Sequence, residues 1–174
     1  MPDGFTLGDL DTLSWFIYAV SGYPAHVDIT LDTTESLQNM LTAEMAYNND
    51  EGVELDSTPS LTTFIDYDVW RKTFELSSGD GFDKIDDSTM FWVTKMGAGN
   101  DDAPFGTLAD WKEGNVANDP MGELATTVIS ASTEVLKLEI EVDNWVLSTE
   151  VYIDDIEIND VIYPIETDLP EVPG

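Results

Sequence analysis

Flat aromatic rings are the residues of this chain best suited to hold a ligand. Sugars present apolar C–H faces that stack on such rings, while polar groups at the rim bind their hydroxyls. The 174-residue sequence holds five tryptophans, six tyrosines and seven phenylalanines. Tyr23, Tyr47 and Tyr67 fall at or near the ends of predicted strands, where loops form a rim. Trp92 follows Phe91, so one of the two must turn away from the other. These four, Tyr23, Tyr47, Tyr67 and Trp92, are the candidate ligand-binding residues. Each taken singly also fits a core position, as do Trp15 and Trp70, and only their arrangement in space decides.

Carboxylates offer a second kind of chemistry. Glu139, Glu141 and Asp143 stand at alternate positions, so a regular strand presents all three on one face. Asp80, Asp83, Asp86 and Asp87 fall in one Gly-containing loop, and Asn100, Asp101 and Asp102 in another. Either loop could bind a hard cation through oxygen ligands. The competing reading is a solvated acidic surface. His26 and Asp28 share a strand face, but a Ser-His-Asp triad needs its nucleophile on a sharp turn, and no Gly-x-Ser-x-Gly occurs. His26 is therefore expected as a surface strand residue. No catalytic residue is assigned.

The composition narrows the class further. With no cysteine there is no disulfide framework, thiol nucleophile or Cys-based zinc site, and a single histidine excludes a multi-histidine centre. Thirty-six Asp and Glu against six Lys and Arg give a formal charge of −30. Such a molecule repels phosphate backbones and anionic lipid, which argues against nucleic-acid and membrane partners. Its self-repulsion is relieved at about 1 M salt, where the Debye length is roughly 3 Å. Scattered carboxylates with almost no lysine, on a chain that is 42% hydrophobic, point to a folded protein of an extreme halophile, of the haloarchaeal kind. No apolar run reaches the ~20 residues that cross a bilayer. The start MPDGFTLGDL carries no secretion signal. An extracellular or cell-surface location thus needs a leader outside this chain, and a cytoplasmic halophilic protein is the alternative.

The elements that must position these residues are strands. In His26 to Asp32, Val27, Ile29 and Leu31 alternate with His26, Asp28, Thr30 and Asp32. In Leu136 to Asp143, Leu136, Leu138, Ile140 and Val142 are expected to face inward, with Lys137, Glu139, Glu141 and Asp143 outward. Further strands are predicted over Leu13–Val20, Leu41–Asn48, Leu61–Tyr67, Trp70–Leu76, Met90–Lys95, Trp145–Thr149 and Val151–Ile158. Gly106 to Gly114, with Thr107 as N-cap, reads either as a short helix or as a loop whose Trp111 plugs the core. Repeated short strands separated by turn-forming stretches make the fold class all-β, a sandwich or barrel with at most one or two short helices. One domain spans residues 1–166, and a Pro-rich tail or linker follows over 167–174.

The block LKLEIEVDNW followed by VYIDDIEIND resembles the closing strands of jelly-roll domains of the carbohydrate-binding-module type. The opening Gly8 to Trp15, followed by HVDITLD, is similar to their first paired strands. The resemblance implies an antiparallel two-sheet sandwich of jelly-roll type, a non-catalytic binding module with a glycan or cell-surface polymer as partner, and a structural calcium near the closing strand. Strict alternation from Tyr152 to Ile158 would carry Asp154 onto an apolar-rich face and Asp155 onto the other. A buried carboxylate needs compensation, so Asp154 and Asp155 are the candidate calcium ligands, with a backbone amide as the alternative. Two other readings stand beside this one. The first is a structural subunit of a cell surface or virion, self-associating through a sheet edge or face. The second is a glycoside hydrolase using Glu139 and Glu141, because the acidic triplet loosely resembles the strand-borne carboxylates of sandwich-fold members of that class. In that class an Asp stands in the middle and a Glu last, and this chain departs from that order.

Overall fold

The computed structural model describes residues 2–33, 39–45, 48, 66–76, 81–95, 104–116, 128–142 and 148–165. In chain order the strands are β1 (Leu13–Ser21), β2 (His26–Leu31), β3 (Asn39–Ala43), β4 (Trp70–Lys72) and β5 (Met90–Lys95). They are followed by β6 (Phe105–Thr107), the helix α1 (Leu108–Lys112), β7 (Val135–Glu141), β8 (Glu150–Ile158) and β9 (Val161–Tyr163). Two antiparallel sheets result, ordered β4-β1-β8-β9 and β6-β5-β3-β2-β7. The all-β, two-sheet antiparallel class expected from the sequence is the class observed. No helix among the described residues is long and apolar enough to cross a membrane.

The chain divides into two compact units, residues 1–11, 26–44 and 87–140 in one and 12–25, 45–86 and 141–174 in the other. Each unit holds one sheet. The division falls inside β7, between Ile140 and Glu141.

In the four-stranded sheet, β1 alternates as its sequence predicts. Trp15, Ile17 and Ala19 are buried, while Phe16 and Tyr18 are half-buried. Trp15 meets Phe74 edge-to-face at 5.7 Å, the geometry favoured by ring quadrupoles. The strand predicted over Trp70–Leu76 stops at Lys72. Thr73 has φ 50°, and there its hydroxyl donates to the Asp83 carbonyl while its amide donates to the Trp15 carbonyl. In β8 the pairs Ser14↔Glu157 and Phe16↔Asp154 advance two residues on β1 but three on β8. The extra residue is a bulge, marked by Asp155 at φ 42°. Strict alternation through Ile158 is therefore broken. Asp154 shares its face with Tyr152, Phe16 and Tyr18, and beyond the bulge Glu157 takes that face in place of Ile156 and Ile158.

The five-stranded sheet corrects two expectations. All six residues of β2 are buried, including His26 at 6% and Asp28 at 5% exposure, so the histidine is not on the surface. The strand lies between β3 and β7 and is covered on both faces. The polar face survives burial because Asp28 is hydrogen-bonded: the Thr42 hydroxyl donates to its Oδ1 at 2.5 Å. The apolar set expected to face inward over 136–143 is not uniformly inward: Leu136 on β7 is 42% exposed and Val142, just past its end, 39%. Among the described residues β7 is outermost in its sheet.

The helix reading of Gly106 to Gly114 holds, and so does its plug. The Thr107 side chain caps the Asp110 amide, and Asp110 answers to the Thr107 amide and hydroxyl, which closes a capping box. Leu108 and Trp111 are buried, and the Trp111 indole donates to the Phe91 carbonyl at 3.2 Å.

Candidate functional site

The register of the four-stranded sheet builds an aromatic row. Tyr18 on β1 stands opposite Trp70 on β4 and, on its other side, opposite Tyr152 on β8. Residues directly opposed across a ladder project to the same side, so the three rings occupy one face. All three are half-buried. Tyr18 and Trp70 have ring centroids 5.5 Å apart at a tilt of 60°. With strands about 4.8 Å apart, the row extends across roughly 10 Å, room for more than one sugar ring.

Polar groups border it. One step along each strand, Phe16 stands between Lys72 and Asp154. Lys72 Nζ pairs with Glu157 Oε2 at 3.4 Å, and the Ser14 hydroxyl donates to the same oxygen at 3.4 Å. The Tyr152 hydroxyl donates to Glu150 Oε1 at 2.9 Å. That hydrogen bond, reinforced by the carboxylate charge, raises the phenol above its ordinary value of 10.0. Tyr152 thus stays protonated and fixed in direction. Asp154 Oδ1 accepts from the Asp155 amide at 2.8 Å, the backbone alternative foreseen for it, and both aspartates are half-buried.

A second group lies on the five-stranded sheet. His26 and Asp28, two apart on β2, share a face, and β3 brings Thr42 opposite Asp28 and Trp92 opposite Thr42. Trp92 in turn stands opposite Phe105. The Trp92 Nε1 is buried with no hydrogen-bond partner among the described residues.

The predicted ligand residues do not assemble as one set. Tyr67 is 37% exposed and its hydroxyl donates to the Gly22 carbonyl at 2.9 Å, next to half-buried Tyr23. Trp92 belongs to the other sheet, and Tyr47 lies outside the described residues. So do Asp80, Asn100, Asp101, Asp102 and Asp143, the predicted strand residues 61–65 and 145–147, and the tail 167–174. Of the remaining loop acids, Asp87 pairs with Lys112 at 2.5 Å, and Asp83 is exposed. Glu139 and Glu141 belong to one strand and do not face each other across a cleft; Glu139 pairs with Lys137. Tyr18 and Tyr152 are not among the residues the sequence singles out, and Trp70 is one for which it leaves core and ligand positions open. The readable signal was the polar-side phase of β1, which puts Tyr18 opposite the buried Trp15 and Ile17 face.

Comparison of the chain with protein-family models, with curated proteins and with solved structures found no match in any of the three.

Proposed function

We propose that this chain is a non-catalytic binding module of a halophile, acting outside the cell, and that its ligand is a glycan. The observation that carries the reading is the row Trp70, Tyr18 and Tyr152, presented on one sheet face and bordered by Lys72, Asp154, Glu157 and Glu150. Half-buried rings keep their edges packed while leaving a face for C–H stacking, and the charged border can bind hydroxyls. The residues placed there differ from the four singled out by sequence, while the ligand class is the same. A structural calcium belongs to the same reading, held at the β8 bulge by Asp154 and Asp155, where the strand already departs from regular pairing.

A glycan array in molar salt tests this reading. Retained binding by the unaltered protein and loss in Tyr18→Ala and Trp70→Ala would support it. Absence of binding to every glycan, or undiminished binding in both variants, would overturn it. For calcium, chelation at constant ionic strength is expected to lower the melting temperature, and no shift would remove the ion.

The assembly reading keeps one observation in its favour. Among the described residues β9 is outermost in the four-stranded sheet, and its consecutive residues Val161, Ile162 and Tyr163 are all exposed. An open apolar edge is a template for pairing with another chain. Sedimentation in molar salt distinguishes the two, since a binding module is expected to stay monomeric and an assembling subunit is not.

A further inference from the structure

We propose that the aromatic row selects a glycan bearing protonated amino groups, with Glu150 and Asp154 as the residues that set the preference, a selectivity that rests on the glycan reading. Every residue involved lies in the compact unit that holds the four-stranded sheet. Along β8, Tyr152 and Asp154 pair in regular register with Tyr18 and Phe16, and Glu150 stands two residues before Tyr152. The period of two therefore places Glu150, Tyr152 and Asp154 on one side of the sheet, ahead of the bulge at Asp155. One carboxylate thus flanks Tyr152 in each direction at roughly 7 Å along the strand, within reach of the substituents of a pyranose stacked on the row.

Three features give this border its sign. First, Lys72 is paired with Glu157 at 3.4 Å, while among the described residues no Lys or Arg pairs with Glu150 or Asp154. Second, both carboxylates are held without being saturated. Glu150 Oε1 accepts from the Tyr152 hydroxyl at 2.9 Å and Asp154 Oδ1 from the Asp155 amide at 2.8 Å, which leaves the second oxygen of each to a ligand. Third, the ring faces of Tyr and Trp carry the negative part of their quadrupole and attract a cation. Equatorial substituents of a sugar lying flat on the rings spread in its own plane, toward the border. There an ammonium makes charge-assisted hydrogen bonds, about twice as strong as the neutral ones of a hydroxyl or acetamido group, and a uronate or sulfate is repelled. These are contact interactions, so they persist at about 1 M salt, where a Debye length of roughly 3 Å removes the diffuse attraction of the acidic surface.

The experiment titrates the whole protein by calorimetry in molar NaCl, at a mildly acidic pH that keeps the sugar amine protonated, with chelator present to keep calcium off Asp154. The probes are glucosamine, N-acetylglucosamine and galacturonate oligomers of equal length. The glucosamine oligomer should bind at least about tenfold more tightly than the acetylated one, and the galacturonate more weakly than either. Glu150→Gln, at an exposed position, and Asp154→Asn, which keeps an oxygen for the Asp155 amide, should together bring the first two affinities level. Tyr18→Ala should weaken both. The selectivity is overturned if the glucosamine oligomer does not bind, if it binds no better than the acetylated one, if its advantage survives the double variant, or if Tyr18→Ala leaves it undiminished. Neutral glycans bound on the array would then still support the glycan reading, whereas an array without any bound glycan removes both.

Discussion

Tyr18 lies directly opposite Trp70 across the β1–β4 ladder, its ring centroid 5.5 Å from the indole and its plane tilted by 60°. Neither ring belongs to the buried side of the sheet, which is taken by Trp15, Ile17 and Ala19. On the proposed glycan reading, removal of the pair should cost binding far more than folding. Tyr18→Ala is expected to lower stability by about 0.5 to 1.5 kcal/mol, the worth of such an aromatic pair. Glycan affinity should fall tenfold or more. Trp15→Ala is the contrasting variant, since losing a buried tryptophan should cost about 3 to 5 kcal/mol. Urea unfolding of both, beside titration of Tyr18→Ala with the ligand found on the array, checks the ranking.

The short helix depends on its first turn. Thr107→Ala removes the hydroxyl that caps the Asp110 amide and should cost about 1 kcal/mol by denaturant unfolding. The Thr107 hydroxyl and amide hold the Asp110 carboxyl below the ordinary aspartate value of 3.8. A carboxyl depressed in the folded state binds fewer protons there than in the unfolded chain. Its contribution is thus complete above 3.8 and is lost as pH falls through the lower folded value. Asp9, depressed by Thr6 in the same way, loses its contribution over the same acid range. Asp110→Asn should lower the melting temperature at neutral pH and flatten its acid-side decline, so that the variant and the unaltered protein converge at low pH. An unaltered acid slope in the double variant Asp9→Asn, Asp110→Asn would refute the assignment.

What was legible in the sequence and what was not divide along a physical line. Period-two alternation gave β1, β2, β7 and β8 because it is a property of each strand alone. The capping box of α1 was readable for the same reason, since Thr107 and Asp110 are three residues apart. Burial of the polar side of β2 was not readable, because it depends on what packs over that face and not on the strand's own alternation. The aromatic row depends on register between segments far apart in sequence, so Tyr18, Trp70 and Tyr152 carried no joint signal. The bulge at Asp155 reverses the phase of β8 partway along, and regular alternation cannot foresee that. β6 and β9, three residues each, are too short to show a period.

One missed element did carry a signal. Ile158 pairs with Val161, leaving a two-residue loop in which Asn159 and Asp160 have φ 48° and 64°. Positive φ at both positions is the type I′ hairpin turn, which favours Asn followed by Gly. The Asn159 side chain accepts the Thr12 amide at 3.0 Å, whereas Asp160 is exposed. Asp160→Gly relieves left-handed strain and should raise stability by up to about 1 kcal/mol, the gain limited by the freedom glycine adds to the unfolded chain. Asn159→Ala should lower stability, since it removes an acceptor and puts alanine at positive φ. Thermal unfolding of the two variants must move in opposite directions.

Charge sets the remaining term. Arg71, Lys72, Lys112 and Lys137 each pair with a carboxylate, at Asp66, Glu157, Asp87 and Glu139 respectively. Against a formal charge of −30 these pairs offset little of the repulsion, which extends over a Debye length of about 10 Å at 0.1 M salt and only about 3 Å at 1 M. The half-exposed pairs are themselves weakened by salt, so their loss opposes the gain from screening. With six cationic residues against thirty-six acidic ones, the repulsive term is the larger. The melting temperature should therefore climb from dilute buffer to molar NaCl and climb equally in KCl. Sucrose at matched water activity strengthens burial without screening, so it should reproduce only a part of the rise. A melting temperature that is flat across the salt series would mean that the carboxylates are too widely spread to strain the fold, and the adaptation to brine inferred from them would fall.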